Sequence, residues 1–172
     1  MTLTSRGAAI APISIYLTVF LLFSSAAEAA SCALSISNLS FGPYVGTQTS
    51  STSPAAFRCE NVNPALLPER VDYVIRLSPG SGTYAQRQMN RTSLPADSLL
   101  YNLYLNVLPG VLNTNVWGDG SGGTITWTGR INLSPGQPIR TDTATLVGAV
   151  PSGLFPSAGT YQDTVIATVQ IL

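Results

Sequence analysis

Apolar and polar positions exchange every second residue through most of the chain after residue 30. Tyr73, Ile75 and Leu77 alternate with Val74, Arg76 and Ser78. Leu99, Tyr101, Leu103, Leu105 and Val107 alternate with Leu100, Asn102, Tyr104 and Asn106, and Ile125 and Trp127 are set among threonines. Near the end, Val165, Ala167, Val169 and Ile171 alternate with Thr164, Ile166, Thr168 and Gln170. A period of two puts neighbouring side chains on opposite faces, so each run predicts a strand with one face turned to a core. In this region no window longer than ten residues keeps the three-and-four apolar spacing of a helix. The first strand changes phase: Cys32, Leu34 and Ile36 share one parity, whereas Leu39 and Phe41 have the other. A bulge or kink near Ser37-Asn38 would reconcile the two. Turn signals separate the runs at Gly42-Pro43, Pro79 to Gly82, Pro109-Gly110, Gly118 to Gly123, Ser134 to Gly136 and Pro151 to Gly159. Many short strands with regular turns predict an all-β sandwich or barrel in a single domain.

The N-terminus has a different pattern. Arg6 is the only charge before Glu28, an apolar run extends from Ala8 to Phe23, and small residues follow to Ala30. That order is a signal peptide, with cleavage placed after Ala29 at the Ala27-Glu28-Ala29 site. The predicted organisation is therefore a signal peptide over residues 1–29 and one domain over 30–172. An uncleaved anchor is the rival reading, but the run falls short of the roughly 20 residues that span a bilayer. Lipidation of Cys32 is a second rival. Small residues precede that cysteine, although Ala29 stands where lipoprotein signals carry Leu.

Composition narrows the function. The whole chain has eight basic and eight acidic residues and no His. All eight basic residues are Arg, and loss of Arg6 and Glu28 with the leader leaves the balance neutral. Such a chain has no electrostatic reason to bind nucleic acid or an anionic membrane. Low charge also weakens the repulsion that keeps copies apart, which suits a protein that assembles. Cys32 and Cys59 are the only cysteines, and in an exported protein an even count implies a disulfide. A redox pair or metal site would call for a C-x-x-C spacing or histidines.

Catalysis finds little support. A hydrolytic triad needs a base, and both His and Lys are missing. Asp119 and Asp163 are candidates for paired-carboxylate chemistry, but turn and strand-edge N–H groups are the commoner partners of such residues. The glycine-rich stretch Gly118 to Gly123 precedes a strand rather than a helix, which argues for a hairpin loop and against a phosphate cradle. A calcium ion there would have one carboxylate, few for a hard cation. Trp117, Trp127, Tyr101, Tyr104 and Tyr161 read as core residues, with an aromatic sugar platform as the alternative. The expectation is a non-enzyme without cofactor or metal.

A series of short motifs carries a resemblance. After Cys32 come Phe41-Gly42-Pro43-Tyr44, Cys59, Tyr73 to Ser78, Gly80 to Thr83 and Arg87-Gln88-Met89. Leu100-Tyr101-Asn102-Leu103-Tyr104, Val116-Trp117-Gly118-Asp119-Gly120 and Ala158 to Val165 follow in order. From Cys32 to Leu172 the chain resembles the spore coat protein U family, which also supplies subunits of archaic chaperone–usher pili. The resemblance implies an incomplete immunoglobulin-like sandwich without its last strand. An apolar groove would then lie beside the C-terminal strand, at Val165, Ala167, Val169 and Ile171. A periplasmic chaperone fills such a groove first, and the N-terminal extension of a neighbouring pilin subunit replaces it, with an outer-membrane usher as the third partner. Main-chain hydrogen bonds attach the donated strand, and its alternate side chains fill pockets. The protein would be exported through the periplasm to the cell surface, a pilus or the medium, with roles in adhesion or biofilm. A coat or matrix protein of the same fold is the alternative.

The chain departs from the family pattern in two ways. Only Ala30 and Ser31 separate the expected cleavage site from Cys32, too few to serve as a donated strand, so this subunit would accept a strand without giving one and would stand at a fibre tip. The segment from Val107 to Leu112 is an apolar insertion. Its Leu108, Val111 and Leu112 either form an exposed adhesive loop or fold back as a lid on the core.

Overall fold

The computed structural model describes residues 13–20, 30–63, 68–106 and 115–172. Every regular element among them is a strand, in an immunoglobulin-like β-sandwich. One sheet joins β2 (Ala30–Ile36), β4 (Thr49–Asn61), β9 (Ile139–Val150) and β7 (Ser98–Asn106), all antiparallel. The other contains β3 (Leu39–Ser40), β1 (Ile13–Phe20), β10 (Tyr161–Ile171), β5 (Glu69–Leu77) and β8 (Trp127–Leu133), with β6 (Arg87–Arg91) on the first residues of β10. β7 belongs to both sheets. Ser98 to Tyr101 pair with β6, whereas Asn102 to Asn106 pair with β9, so the strand turns the corner of the sandwich.

The alternation in sequence becomes burial. Val71, Tyr73, Ile75 and Leu77 of β5 face inward, as do Leu99, Tyr101, Leu103 and Leu105 of β7. Phe57 of one sheet meets Tyr73 of the other with ring centroids 4.4 Å apart, and Tyr73 in turn lies edge-on to Trp127. Cys32 and Cys59 are directly opposite one another on β2 and β4 and are disulfide-bonded, with Cα atoms 4.1 Å apart. That spacing belongs to a non-hydrogen-bonded antiparallel pair, where side chains approach most closely.

The phase change after Ile36 is a change of sheet. β2 pairs with β4 up to Ile36, two residues lie outside any strand, and Leu39 then pairs in the opposite sheet. The buried Ser53 hydroxyl donates to the Ser37 carbonyl at 2.8 Å, satisfying the backbone where it leaves the ladder. Pro54 follows on β4, beyond the last residue that β2 covers, so its missing N–H breaks no bond to that neighbour. Leu39 and Phe41 then cross over β9 at Gly148, where a Cβ would come within 2.2 Å of Leu39 and 2.6 Å of Phe41. The stretch from Gly118 to Gly123 differs from the expected hairpin. Its flanks are bridged in the parallel sense, Trp117 to Ile125, so the chain closes a compact loop instead of folding straight back.

Candidate functional site: the outer edge of the C-terminal strand

β10 has two edges with different neighbours. On one edge, Tyr161 and Gln162 pair with β6, and Ala167 to Ile171 pair with β5. The gap between those partners is closed by the 78–82 turn. Ser78 N donates to the Ile166 carbonyl at 2.8 Å, and Ile166 N donates to the Ser78 hydroxyl at 2.9 Å. Asp163 Oδ1 accepts from Ser81 N at 3.0 Å and from Ser81 Oγ at 2.8 Å. Gly80 adopts a φ of 71° within this turn, and a Cβ there would lie 2.1 Å from Asp163 Oδ2. Only glycine serves both the left-handed backbone and the close approach.

The other edge is covered by β1. Its eight residues run parallel to β10, from Ile13 opposite Tyr161 to Phe20 opposite Thr168. On its far side Ser14 and Ile15 pair antiparallel with Ser40 and Leu39 of β3. β1 therefore lies between β3 and β10. Without it, the 161–168 stretch of β10 would present a row of unpaired main-chain groups, the feature that makes an edge strand adhesive.

The inward-facing residues of β10 are Tyr161, Asp163, Val165, Ala167 and Val169. Val165 and Ala167 are fully buried. Val169 is buried past the end of β1, and Ile171 is 50% exposed. At the other end of this face Tyr161, read from the sequence as core, is buried beside Asp163, whose burial the alternation did not foretell. The Asp163 carboxylate is 4% exposed and accepts from the Tyr101 hydroxyl at 2.5 Å and from Thr164 N at 2.8 Å, besides Ser81. Burial raises the Tyr101 phenol above its ordinary pKa, and the bond to Asp163 adds to the shift. Arg87 is also fully buried. One of its terminal nitrogens donates to the Ser78 and Trp117 carbonyls at 2.8 and 2.9 Å. Burial lowers its pKa, opposed in order by Tyr101, Tyr84 and Asp163. The Ser–Gly turn, Arg87, Tyr101 and Asp163, which sit in separate motifs of the sequence, thus form one network under β10.

The other candidates have structural roles. Asp119 Oδ1 accepts from Ser121 N and Oγ at 2.8 and 2.6 Å, a loop-closing arrangement. These hydrogen bonds, the side-chain one first, hold its carboxyl below the ordinary value. Trp117, Trp127, Tyr101 and Tyr161 are buried, and the Trp117 indole donates to the Ile75 carbonyl at 3.2 Å. Tyr104 is half-buried, so the five aromatics do not share one exposed face. Leu108, Val111 and Leu112 lie outside the described residues. Among the described residues no helix is long and apolar enough to cross a membrane.

An immunoglobulin-like sandwich with a disulfide joining β2 to β4, and with its last strand flanked by a segment from the far N-terminus, defines a class of structural β-domain. The Spore Coat Protein U domain matches residues 18–168. The chain belongs to that family, whose domains are structural units of pili and coats. A search of curated proteins finds no match to the chain.

Proposed function

We propose that this protein is an exported subunit of a chaperone–usher-type pilus that accepts a donated strand along the outer edge of β10. The observation that carries this reading is the position of β1, an eight-residue strand hydrogen-bonded between β10 and β3 over a floor of buried Val165 and Ala167. The place is fitted for a strand from outside the 30–172 domain. Periplasmic chaperone, usher and neighbouring pilin subunits are the partners this implies, after cleavage of residues 1–29. Strand addition would satisfy the main-chain groups of β10 and cover its apolar floor together.

The same reading places the subunit at a fibre tip. Ala30 and Ser31 are paired with Asn61 and Glu60 on β4 and so are already committed to their own sheet. Free of that pairing, two residues would reach only about 7 Å, against about 17–20 Å for a donated strand of five or six residues. Adhesion to surfaces, with a part in biofilm, is assigned to the apolar insertion at Leu108, Val111 and Leu112.

The test is to produce the chain from Ala30 to Leu172 in oxidised form alone, with its cognate chaperone, and with a peptide copying a fibre subunit's N-terminal extension. Aggregation alone and one-to-one complexes with chaperone and peptide are the expected results. Filaments formed by the purified protein alone would exclude the tip position. A stable soluble monomer needing no partner would exclude strand exchange.

A further inference from the structure

We propose that three loops at the Tyr161 end of β10 form a braced apolar platform, with Val45, Leu94 and Phe155 at its surface, on which the folded domain of the strand-donating neighbour sits. The proposal deepens the reading of the β10 edge as an acceptor site and rests on it.

The platform is built on the 151–160 segment, which is tied to a loop on each side. On one side the Tyr44 hydroxyl donates to the Pro151 carbonyl at 2.7 Å and accepts from Leu154 N at 3.1 Å, and Gly153 N donates to the Gly46 carbonyl at 3.0 Å. On the other side Asp97 Oδ2 accepts from Ser157 N at 2.7 Å and from the Tyr161 hydroxyl at 2.9 Å. Thr92 N donates to the Thr160 carbonyl at 2.9 Å, and the Arg91 guanidinium donates to the Ala158 carbonyl. Each loop holds out one large apolar side chain: Val45 is 64% exposed, Leu94 89% and Phe155 94%. Residues 42–48, 92–96 and 151–160 carry no charge, and the neighbouring Asp97 and Arg91 are engaged in the ties. Side chains this exposed add nothing to the core. Clustered on braced loops, they mark a contact surface that loses little conformational freedom when covered.

What covers the platform follows from the groove. Tyr161 is the first residue of the β10 edge and also a member of the ties, through Asp97, so platform and acceptor edge are continuous. A donated strand can run either way along β10, and the antiparallel sense gives the slightly stronger ladder per residue. A strand in that sense enters beside Ile171 and leaves beside Tyr161, with its C-terminal end at the platform. The donated segment is an N-terminal extension, so the donor's domain begins where the strand leaves and comes to rest over Val45, Leu94 and Phe155. A strand running parallel, as β1 does, would leave at the opposite end of the sandwich. Val62, just past the end of β4, and Ile139, at the start of β9, stand there, 58% and 51% exposed. The two directions therefore predict different contact residues.

The experiment uses the exported, processed chain isolated as a complex with its cognate chaperone, and follows displacement of the chaperone by native mass spectrometry. Two probes are compared: the cognate fibre subunit, and a peptide of that subunit's N-terminal extension alone. The readout is the ratio of subunit to peptide displacement, in which any effect on the chaperone itself cancels. In Val45→Ser with Leu94→Ser and Phe155→Ser the ratio should fall at least about tenfold, because truncating buried apolar anchors of an interface carries losses of that size. Val62→Ser with Ile139→Ser, at the opposite end, should keep the parent ratio. An unchanged ratio in the platform variant, or a fall in the opposite-end variant, overturns the proposal. Loss of retention on polystyrene beads with the ratio unchanged would assign the platform to an apolar surface and overturn it likewise. If neither probe displaces the chaperone from the parent, the acceptor-site reading falls as well, whereas peptide exchange with an unchanged ratio leaves that reading standing. Should the triple variant not be recovered, Phe155→Ser alone carries the same comparison, with an expected fall of about threefold.

Discussion

Removal of the Asp163 carboxylate tests whether the floor under β10 is a hydrogen-bonded network or a passive apolar surface. Asp163 is 4% exposed and accepts from Ser81 N, Ser81 Oγ, Thr164 N and the Tyr101 hydroxyl. Asp163→Ala leaves the buried Tyr101 hydroxyl without this acceptor, at a cost of about 1–3 kcal/mol. The Ser81 and Thr164 groups are only part-buried and regain water, so they add about 0.5–1 kcal/mol each. The loss should come to about 2–5 kcal/mol, or roughly 5–15 °C in Tm for a domain of this size. Asp163→Asn keeps an acceptor for Ser81 and should lose about half as much. Tyr101→Phe should couple to Asp163→Asn, because each removes one end of the same bond. The assay is thermal unfolding followed by circular dichroism, on oxidised whole chain at neutral pH, for the single variants and the pair. An Asp163→Ala variant melting within about 2 °C of the parent would refute the network, as would strict additivity of the pair.

The remaining predictions concern other parts of the frame. Cys32 and Cys59 are 27 residues apart, so Cys32→Ser with Cys59→Ser should cost about 3–4 kcal/mol by loop entropy, measured by urea unfolding with and without reductant. Gly148→Val should overpack Leu39 and Phe41, costing about 1–3 kcal/mol, and should loosen the adjacent β3 edge, seen as faster hydrogen exchange at Leu39. Asp97 is held at a pKa of about 2 by the Ser157 amide first and the Tyr161 hydroxyl next. Because its folded value is depressed from 3.8, its contribution is complete above that pH and is lost as pH falls through about 2. Asp97→Asn should flatten the stability profile between pH 4 and 2 in melts taken across that window. Replacing Leu108, Val111 and Leu112 with Ser should weaken adhesion and spare stability. A large drop in Tm with adhesion intact would assign them to a lid.

Strand positions, the inward residues of β5 and β7 and the kink after Ile36 were legible in the amino-acid order, because a strand's two faces are set by a period of two and burial selects one parity. The cysteine pairing followed from a count of two. The meaning of the kink was not legible. Ile36 and Leu39 differ in parity because they lie in different sheets, and sheet membership depends on pairing across distant segments. The same holds for Asp163, which looks outward-polar in sequence and is buried because Ser81, Tyr101 and Thr164 converge on it. Residues 8–23 read in sequence as the apolar run of an expected signal peptide. That part of this run fits beside β10 is a long-range fact, created by the edge that β10 leaves open and by the distance between β10 and β3. Local order determines which faces are apolar, whereas only the packed sheets decide which edges remain to be covered.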